Sequence, residues 1–499
     1  MNAKRFLLIG ALVVSVVASG LLQRGLNRDR EAMGITRTTV ISNAPPVLAF
    51  TTVALGAFRG LIANALWIRA TEMQEEGKYF EAVQLADWIT KLQPHSDAPW
   101  IFQAWNMAYN ISVKFPDPND RWLWVQRGIE LLRDEGLKYN PNKALMYREL
   151  AWFFQHKMGA NLDDAHLVYK GQWAARMNKL IPGGRPDYPA LLDPKSPEEK
   201  AALKELVEKY KLDPRMMQRV DATYGPLDWR LPETHAIYWA MVGIDHSPTQ
   251  DKLPLRRAIY QPMLASLHHG RVVTNRLTGT FDLRPNLDMI PNALKAYEDA
   301  IAAEPESNRD NIARANRNFL KDAVYFLYAN NREADARRWF NYIRDKFGIG
   351  PQSGIDPDAT MESFAIGKVE EDANETSRDR VTQALQGLLS RSYYNLAIGD
   401  EDLGIGLERI AQKIYDVYRA KTLHPASKDR VALPALSEIK REVLLSLLRP
   451  DAGVNPEFQA QLRARLNLPS DFGMPATNAA PVVPGPGPAG TPATPEAKP

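Results

Sequence analysis

The residues able to do chemistry are few and poorly arranged for it. His235, His246, His268 and His269 fall close together in the chain, near Asp228, Glu233, Asp245 and Asp251. Imidazoles and carboxylates are what zinc takes as ligands, but a metal needs several of them convergent at fixed spacing. No His-Glu-x-x-His or comparable helical pairing occurs, and neighbouring His268 and His269 on a helix would point about 100° apart. Surface or hydrogen-bonded histidines are the expectation. The glycines of Gly348-Ile349-Gly350-Pro351-Gln352-Ser353-Gly354 lack the preceding apolar strand, the spacing and the following Lys-Ser/Thr of a phosphate cradle, so this stretch reads as a loop. Glu370, Glu371, Asp372 and Glu375 do not have the spacing of a calcium loop and read as a solvated connection. The chain has no cysteine, which excludes disulfides, thiolate nucleophiles and cysteine-held metals. No Gly-x-Ser-x-Gly elbow appears. The sequence therefore supports no catalytic residue, no metal and no cofactor, and the expectation is a protein that is not an enzyme.

With 62 basic and 59 acidic side chains among 499 residues the net charge is +3, too small for bulk attraction to nucleic acid, which is not expected as a partner. A hydrophobic share of 45% gives enough apolar surface for a large core. The length would make about three ordinary domains or one continuous helical stack.

Lys4 and Arg5 precede an uncharged run from Phe6 to Leu22, just short of the roughly 20 residues that span a bilayer. Residues 1–30 are thus read as a retained signal anchor, or as a signal peptide cut after Val16-Val17-Ala18, with the membrane a partner through this helix. A basic head followed directly by an apolar core places the body outside the cytoplasm. A second apolar stretch, Pro45 to Ile68, carries Arg59 in its middle. A charge at bilayer centre costs about 2.5 to 3.5 kcal/mol, so this stretch reads as a buried first helix of the body. If it did span, the body would return to the cytoplasm.

Self-similarity organises the rest. Leu61, Ile62, Leu66 and Met73, then Tyr79, Ala82, Val83, Ala86 and Ile89, form two apolar faces at spacings of three and four, broken at Gly77 and stopped by Pro94. Trp100, Gln103, Ala104 and Met107 start another unit. A helix from Trp122 closes at Asn140-Pro141, and Tyr147, Leu150, Ala151 and Phe154 begin the next. Ala293, Tyr297, Ala300 and Pro305 repeat the second-helix spacing. Leu320, Val324, Leu327, Ala336, Phe340 and Ile343 give a further unit, with Asn331 at the turn. Helices are also read over 163–180, 380–397 and 402–420, with the last two forming a weaker pair.

Gly77-Lys78-Tyr79-Phe80-Glu81-Ala82, with Ala86, Ile89 and Leu92-Gln93-Pro94, resembles the tetratricopeptide (TPR) repeat. Trp100 and Ala104 stand where that family places its tryptophan and its small residue, although Gln103 departs from the expected leucine. The resemblance implies an all-α, TPR-like α-solenoid of stacked helical hairpins, with protein partners bound along a concave groove and no activity. The expected units are TPR-like repeats over 45–182, an irregular inserted segment over 183–288, further TPR-like helices over 289–468, and a disordered proline- and alanine-rich tail over 469–499. The block Tyr224 to Pro232 is similar to one in bacterial membrane-anchored TPR-like proteins.

Within 183–288, Ser196-Pro197-Glu198-Glu199 reads as a capped helix start, 235–243 as a buried stretch, and 270–284 as the one place for a short strand hairpin. Trp67, Trp88, Trp100, Trp105, Trp122, Trp124, Trp152 and Trp173 crowd the first repeats and read mostly as core, with the remainder lining the groove. Trp105 and Asn106, on the face away from Trp100 and Ala104, are the groove candidates. The function read from this is a membrane-anchored scaffold holding protein partners at the cell envelope. The alternative is a helical enzyme acting on envelope polymers, with a site in 183–284. That reading needs two convergent carboxylates in a cleft beside Trp229.

Overall fold

The computed structural model describes residues 3–32, 59–160, 162–247, 251–274, 281–350, 353–365, 367, 378–422, 433–450 and 452–472. The acidic run at Glu370 to Glu375, residues 45–58 and the tail from Met474 lie outside these. Helix α1 (Ala3–Ala32) contains the uncharged run and continues into polar residues from Gln23 onward. Side chains of 1–9, 11–13 and 16 are not among those described. Among the described residues no helix is long and apolar enough to cross a membrane.

Gly77 makes the first turn of the body, at φ 75°, in the left-handed region where a side chain is costly. It joins α2 (Arg59–Glu75) to α3 (Tyr79–Leu92), which buries Ala82, Ala86 and Ile89 as the spacing predicts. Three helices follow, and each runs on into a π-helical turn. They are α4 (Asp97–Trp105, then Asn106–Ile111), α5 (Pro118–Glu130, then Leu131–Gly136 and on to Leu137–Tyr139) and α6 (Ala144–Trp152, then Phe153–Gly159). Helix α5 starts ahead of the expected Trp122, because the Asp117 carboxylate accepts from the Asn119 amide at 2.8 Å with Pro118 in the first turn. Gly128 lets it approach α4: a Cβ there would lie 2.9 Å from the Ala104 carbonyl oxygen.

The segment 183–288, expected to be irregular, is largely helical. After α7 (His166–Leu180) it forms α8 (Tyr188–Leu192), α9 (Pro197–Glu208), α10 (Pro214–Tyr224), α11 (Pro232–His246) and α12 (Leu253–His269). A two-stranded antiparallel hairpin then pairs β1 (Arg271–Thr274) with β2 (Phe281–Arg284), where the sequence placed one. Prolines stand in the first turn of each of these helices, behind capping side chains in α8, α9 and α10. Ser196 and Glu199 close a reciprocal capping box, and Asp213 accepts from the Arg215 amide at 2.9 Å. Helix α11 is buried from Pro232 to Ala240 and packs on both α6 and α12. Gly243 permits that approach, since a Cβ there would fall 2.6 Å from the Tyr147 Cβ.

Helices α13 (Ile290–Ala303), α14 (Glu306–Ala329) and α15 (Glu333–Phe347) pack in sequence. Asn331 stands at φ 60° in the turn after α14, where its short polar side chain tolerates the left-handed conformation. Helix α16 (Arg378–Ile398) then packs on α17 (Glu401–Thr422), α18 (Leu436–Leu448) and α19 (Pro456–Arg465). One apolar core runs from Trp100 to Leu462. Of the eight tryptophans read mostly as core, Trp100, Trp122 and Trp173 are buried, Trp67, Trp105, Trp124 and Trp152 are half-buried, and Trp88 is exposed.

Candidate functional site

Residues four apart on one helix share a face. On α4 the Trp105 and Tyr109 rings stack at 4.1 Å and 17°, and on α6 the Trp152 and His156 rings stack at 4.5 Å and 12°. The Tyr109 hydroxyl meets His156 Nδ1 at 3.2 Å across 47 residues of sequence, which joins the two pairs into one half-buried aromatic platform. The Arg148 guanidinium lies 5.0 Å over the Trp152 ring at its edge, a cation–π placement. Trp105 Nε1 donates to the buried Glu149 carboxylate at 2.7 Å, and Glu149 also pairs with Arg148. Burial first, and the neighbouring Lys157 second, hold the His156 imidazole below its ordinary range. Two buried polar atoms of α6, Trp152 Nε1 and Gln155 Oε1, have no hydrogen-bond partner.

Trp105 therefore sits on an accessible platform, but Asn106 does not. Asn106 is buried, donates to the Phe102 carbonyl at 2.9 Å and accepts from Asn110 Nδ2 at 2.7 Å. The face assigned to it assumed α-helical periodicity, whereas a π-helical turn begins at Asn106 and packs against α3 and α5. Tyr109, Arg148 and His156 were not picked out from the sequence, and Trp152 was named only among the eight tryptophans. Their signal was a pair of rings four residues apart, recurring 47 residues later.

Charges are buried beneath the platform. Lys157 Nζ lies 2.5 Å from Asp163 Oδ2, which also accepts from the Tyr169 hydroxyl at 3.1 Å. Burial pushes the Asp163 carboxyl up, but the bonds from Lys157, the Ala165 amide and Tyr169 outweigh it and hold the group at about 2. Glu233 on α11 is wholly enclosed, and neither of its carboxylate oxygens has a hydrogen-bond partner. Burial, partly offset by its own amide and by Lys170, raises it from 4.5 to about 6. Native Glu233 therefore favours its protonated form, and its contribution is present below pH 4.5 and lost as pH rises through 6. Glu233→Gln should raise stability at pH 8 by about 2 kcal/mol, read by urea denaturation. A variant less stable than the parent at pH 8 would show that the charge is compensated.

Asp221 and Asp228, the carboxylates nearest Trp229, are committed to the loop. Asp221 accepts from the Leu227 amide at 2.8 Å, from Trp229 Nε1 at 3.0 Å and from the Tyr188 hydroxyl, while Asp228 holds Arg230 at 2.6 Å. Trp229 is itself fully buried. His235 Nε2 bonds the Trp229 carbonyl at 2.9 Å. Among the described residues no three His, Asp or Glu side chains are placed to hold a metal ion.

No family model, curated protein or solved structure matches this chain.

Two larger hollows complete the surface. One, of about 790 Å³, lies between α5, α10 and α11. Some of its charges are engaged: Arg133 holds Asp134 at 2.6 Å, Arg219 pairs with Asp245, and Asp213 caps α10. The other, of about 870 Å³, lies in the C-terminal half. Neither presents a nucleophile beside a base, and what the geometry provides is contact area.

Proposed function

We propose that this chain is a TPR-like helical-repeat scaffold that binds protein partners through the platform of α4 and α6. In this reading the helix carrying Phe6–Leu22 anchors it to a membrane with the body outside the cytoplasm. The observation that carries the binding role is the platform itself. Tryptophan, tyrosine and arginine are the side chains that dominate binding energy when half-buried and rigid. Here Trp105, Tyr109, Arg148 and Trp152 are held by stacking and by Glu149 rather than left mobile. The recurrence of the same pair 47 residues on suits a repeat surface that reads an extended partner. For the anchor, the support is the basic start at Lys4 and Arg5 followed by the uncharged run.

The test places a photo-crosslinking residue at Arg148, and at exposed Trp88 as a control, in the full chain in its native membranes. One partner should crosslink from Arg148 alone. Trp152→Ala should weaken that partner about 30-fold, the roughly 2 kcal/mol of an aromatic anchor, with the chain still folded at the assay temperature. Equal crosslinking from both positions, or an indifferent Trp152→Ala, would sink the reading. Reporter fusions after Arg37 and Pro94 test the anchor separately: signals on opposite sides of the membrane would place a second span between them.

A further inference from the structure

The hollow of about 870 Å³ in the C-terminal half opens between the end of α12, β2, α14 and the helices α16 to α19. Its volume is that of a small-molecule site rather than a packing defect. The walls are mainly apolar, with Phe326, Leu403, Leu407, Leu447 and Phe458 among them. The charged side chains that line it are Arg284 and Arg391, and among the described lining residues there is no carboxylate. The Arg284 side chain is nine-tenths buried and held in place by the Asn395 carboxamide and by Asp400 at 3.7 Å. Arg391 is exposed at the rim. His268 lies 4.7 Å from the Phe326 ring, and its Nε2 is buried with no hydrogen-bond partner. The site is thus an apolar hollow with cationic groups and an unanswered imidazole nitrogen, and the acid beside it, Asp400, is paired with Arg284 outside the lining.

We propose that this hollow binds a long-chain carboxylate, with its alkyl chain against the leucines and phenylalanines and its head among Arg284, Arg391 and His268. A peptide brings one donor and one acceptor per residue, and walls of this composition leave most of them without partners. An alkyl chain brings none, and its single anionic head meets the only charges that line the site. The proposal is independent of the platform on α4 and α6.

Dodecanoate is the probe, titrated calorimetrically into the full chain in phospholipid nanodiscs, with Leu447→Trp under the same conditions reporting uptake by the bilayer alone. One saturable site should appear in the parent and vanish in Leu447→Trp at an unchanged melting temperature. Affinity should rise about fourfold per methylene from octanoate to dodecanoate. Dodecanol should bind at least tenfold more weakly than dodecanoate, and Arg391→Glu should bring dodecanoate down to the level of dodecanol. Because Arg391 is exposed, that variant tests the head group even if Leu447→Trp does not fold. Parent and Leu447→Trp taking up dodecanoate alike would overturn the proposal, as would dodecanol matching dodecanoate. Displacement of dodecanoate by an apolar acid-ended peptide at lower concentration would assign the hollow to a peptide instead.

Discussion

Trp229→Ala should cost about 4 kcal/mol of stability, within the range for removing a fully buried large aromatic. Trp229 holds the turn before α11 by three different means. Its amide donates to the Gly184 carbonyl at 2.9 Å, its indole donates to Asp221 at 3.0 Å, and its ring meets His235 and Tyr238 edge-on at 5.8 and 5.9 Å. The alanine variant keeps the first and loses the other two, leaving a hollow that backbone pinned by Pro226 and Pro232 cannot easily fill. Trp229→Phe keeps most of the ring volume and should cost about 1 to 2 kcal/mol, mainly the lost hydrogen bond. Guanidinium denaturation of both variants checks this. An alanine variant within 1 kcal/mol of the parent would mean that α11 does not depend on this loop for its seat.

Acidification should reveal His235. Burial lowers its imidazole from 6.5 to about 4, with the bond to the Trp229 carbonyl acting weakly the other way. The native state therefore resists taking the proton, so the stability tied to neutral His235 is whole above pH 6.5 and lost as pH falls towards 4, by about 3 kcal/mol. Glu233, two residues earlier on α11, works in the opposite sense and returns about 2 kcal/mol between pH 6 and 4.5. The parent should thus change little over this window, because the larger loss is mostly offset. His235→Gln should become more stable on acidification from pH 7 to 5, while Glu233→Gln should lose about 3 kcal/mol between pH 7 and 4. Urea midpoints at half-unit pH steps separate the cases. Identical pH profiles for parent and His235→Gln would show that the imidazole is not held neutral.

What the sequence made legible is what local chemistry decides. The turn at Gly77, the same role for Asn331, the Ser196–Glu199 capping box and the 271–284 hairpin each follow from a few neighbouring residues. Apart from the helix that starts at Ser196, the helical character of 183–288 was missed because its helices do not keep a repeat consensus. Their burial against α6 is a long-range matter that no window of sequence contains. At the candidate site Trp105 was picked out as an aromatic, and it stands half-buried with its ring against Phe153 of the core. Asn106 was misplaced, and Tyr109, Arg148 and His156 were missed, for one reason: π-helical turns have no residue signature, and they alter which neighbours share a face.

Those three π turns, Asn106–Ile111, Leu131–Gly136 and Phe153–Gly159, fall in consecutive helices. A π turn bonds i to i+5, so each holds one residue more than the ladder on either side requires. Each is thus a stored single-residue insertion. Deleting one residue within Asn106–Ile111 or Phe153–Gly159 should let that helix close as an ordinary α-helix with both flanks keeping their faces, because the π turn is what absorbs the extra residue. Tyr109 and His156 lie inside these turns, so a deletion between the two rings of a pair sets them three residues apart instead of four while helical content stays almost the same. In this stretch a single codon alters the aromatic surface locally and leaves the rest of the fold where it was.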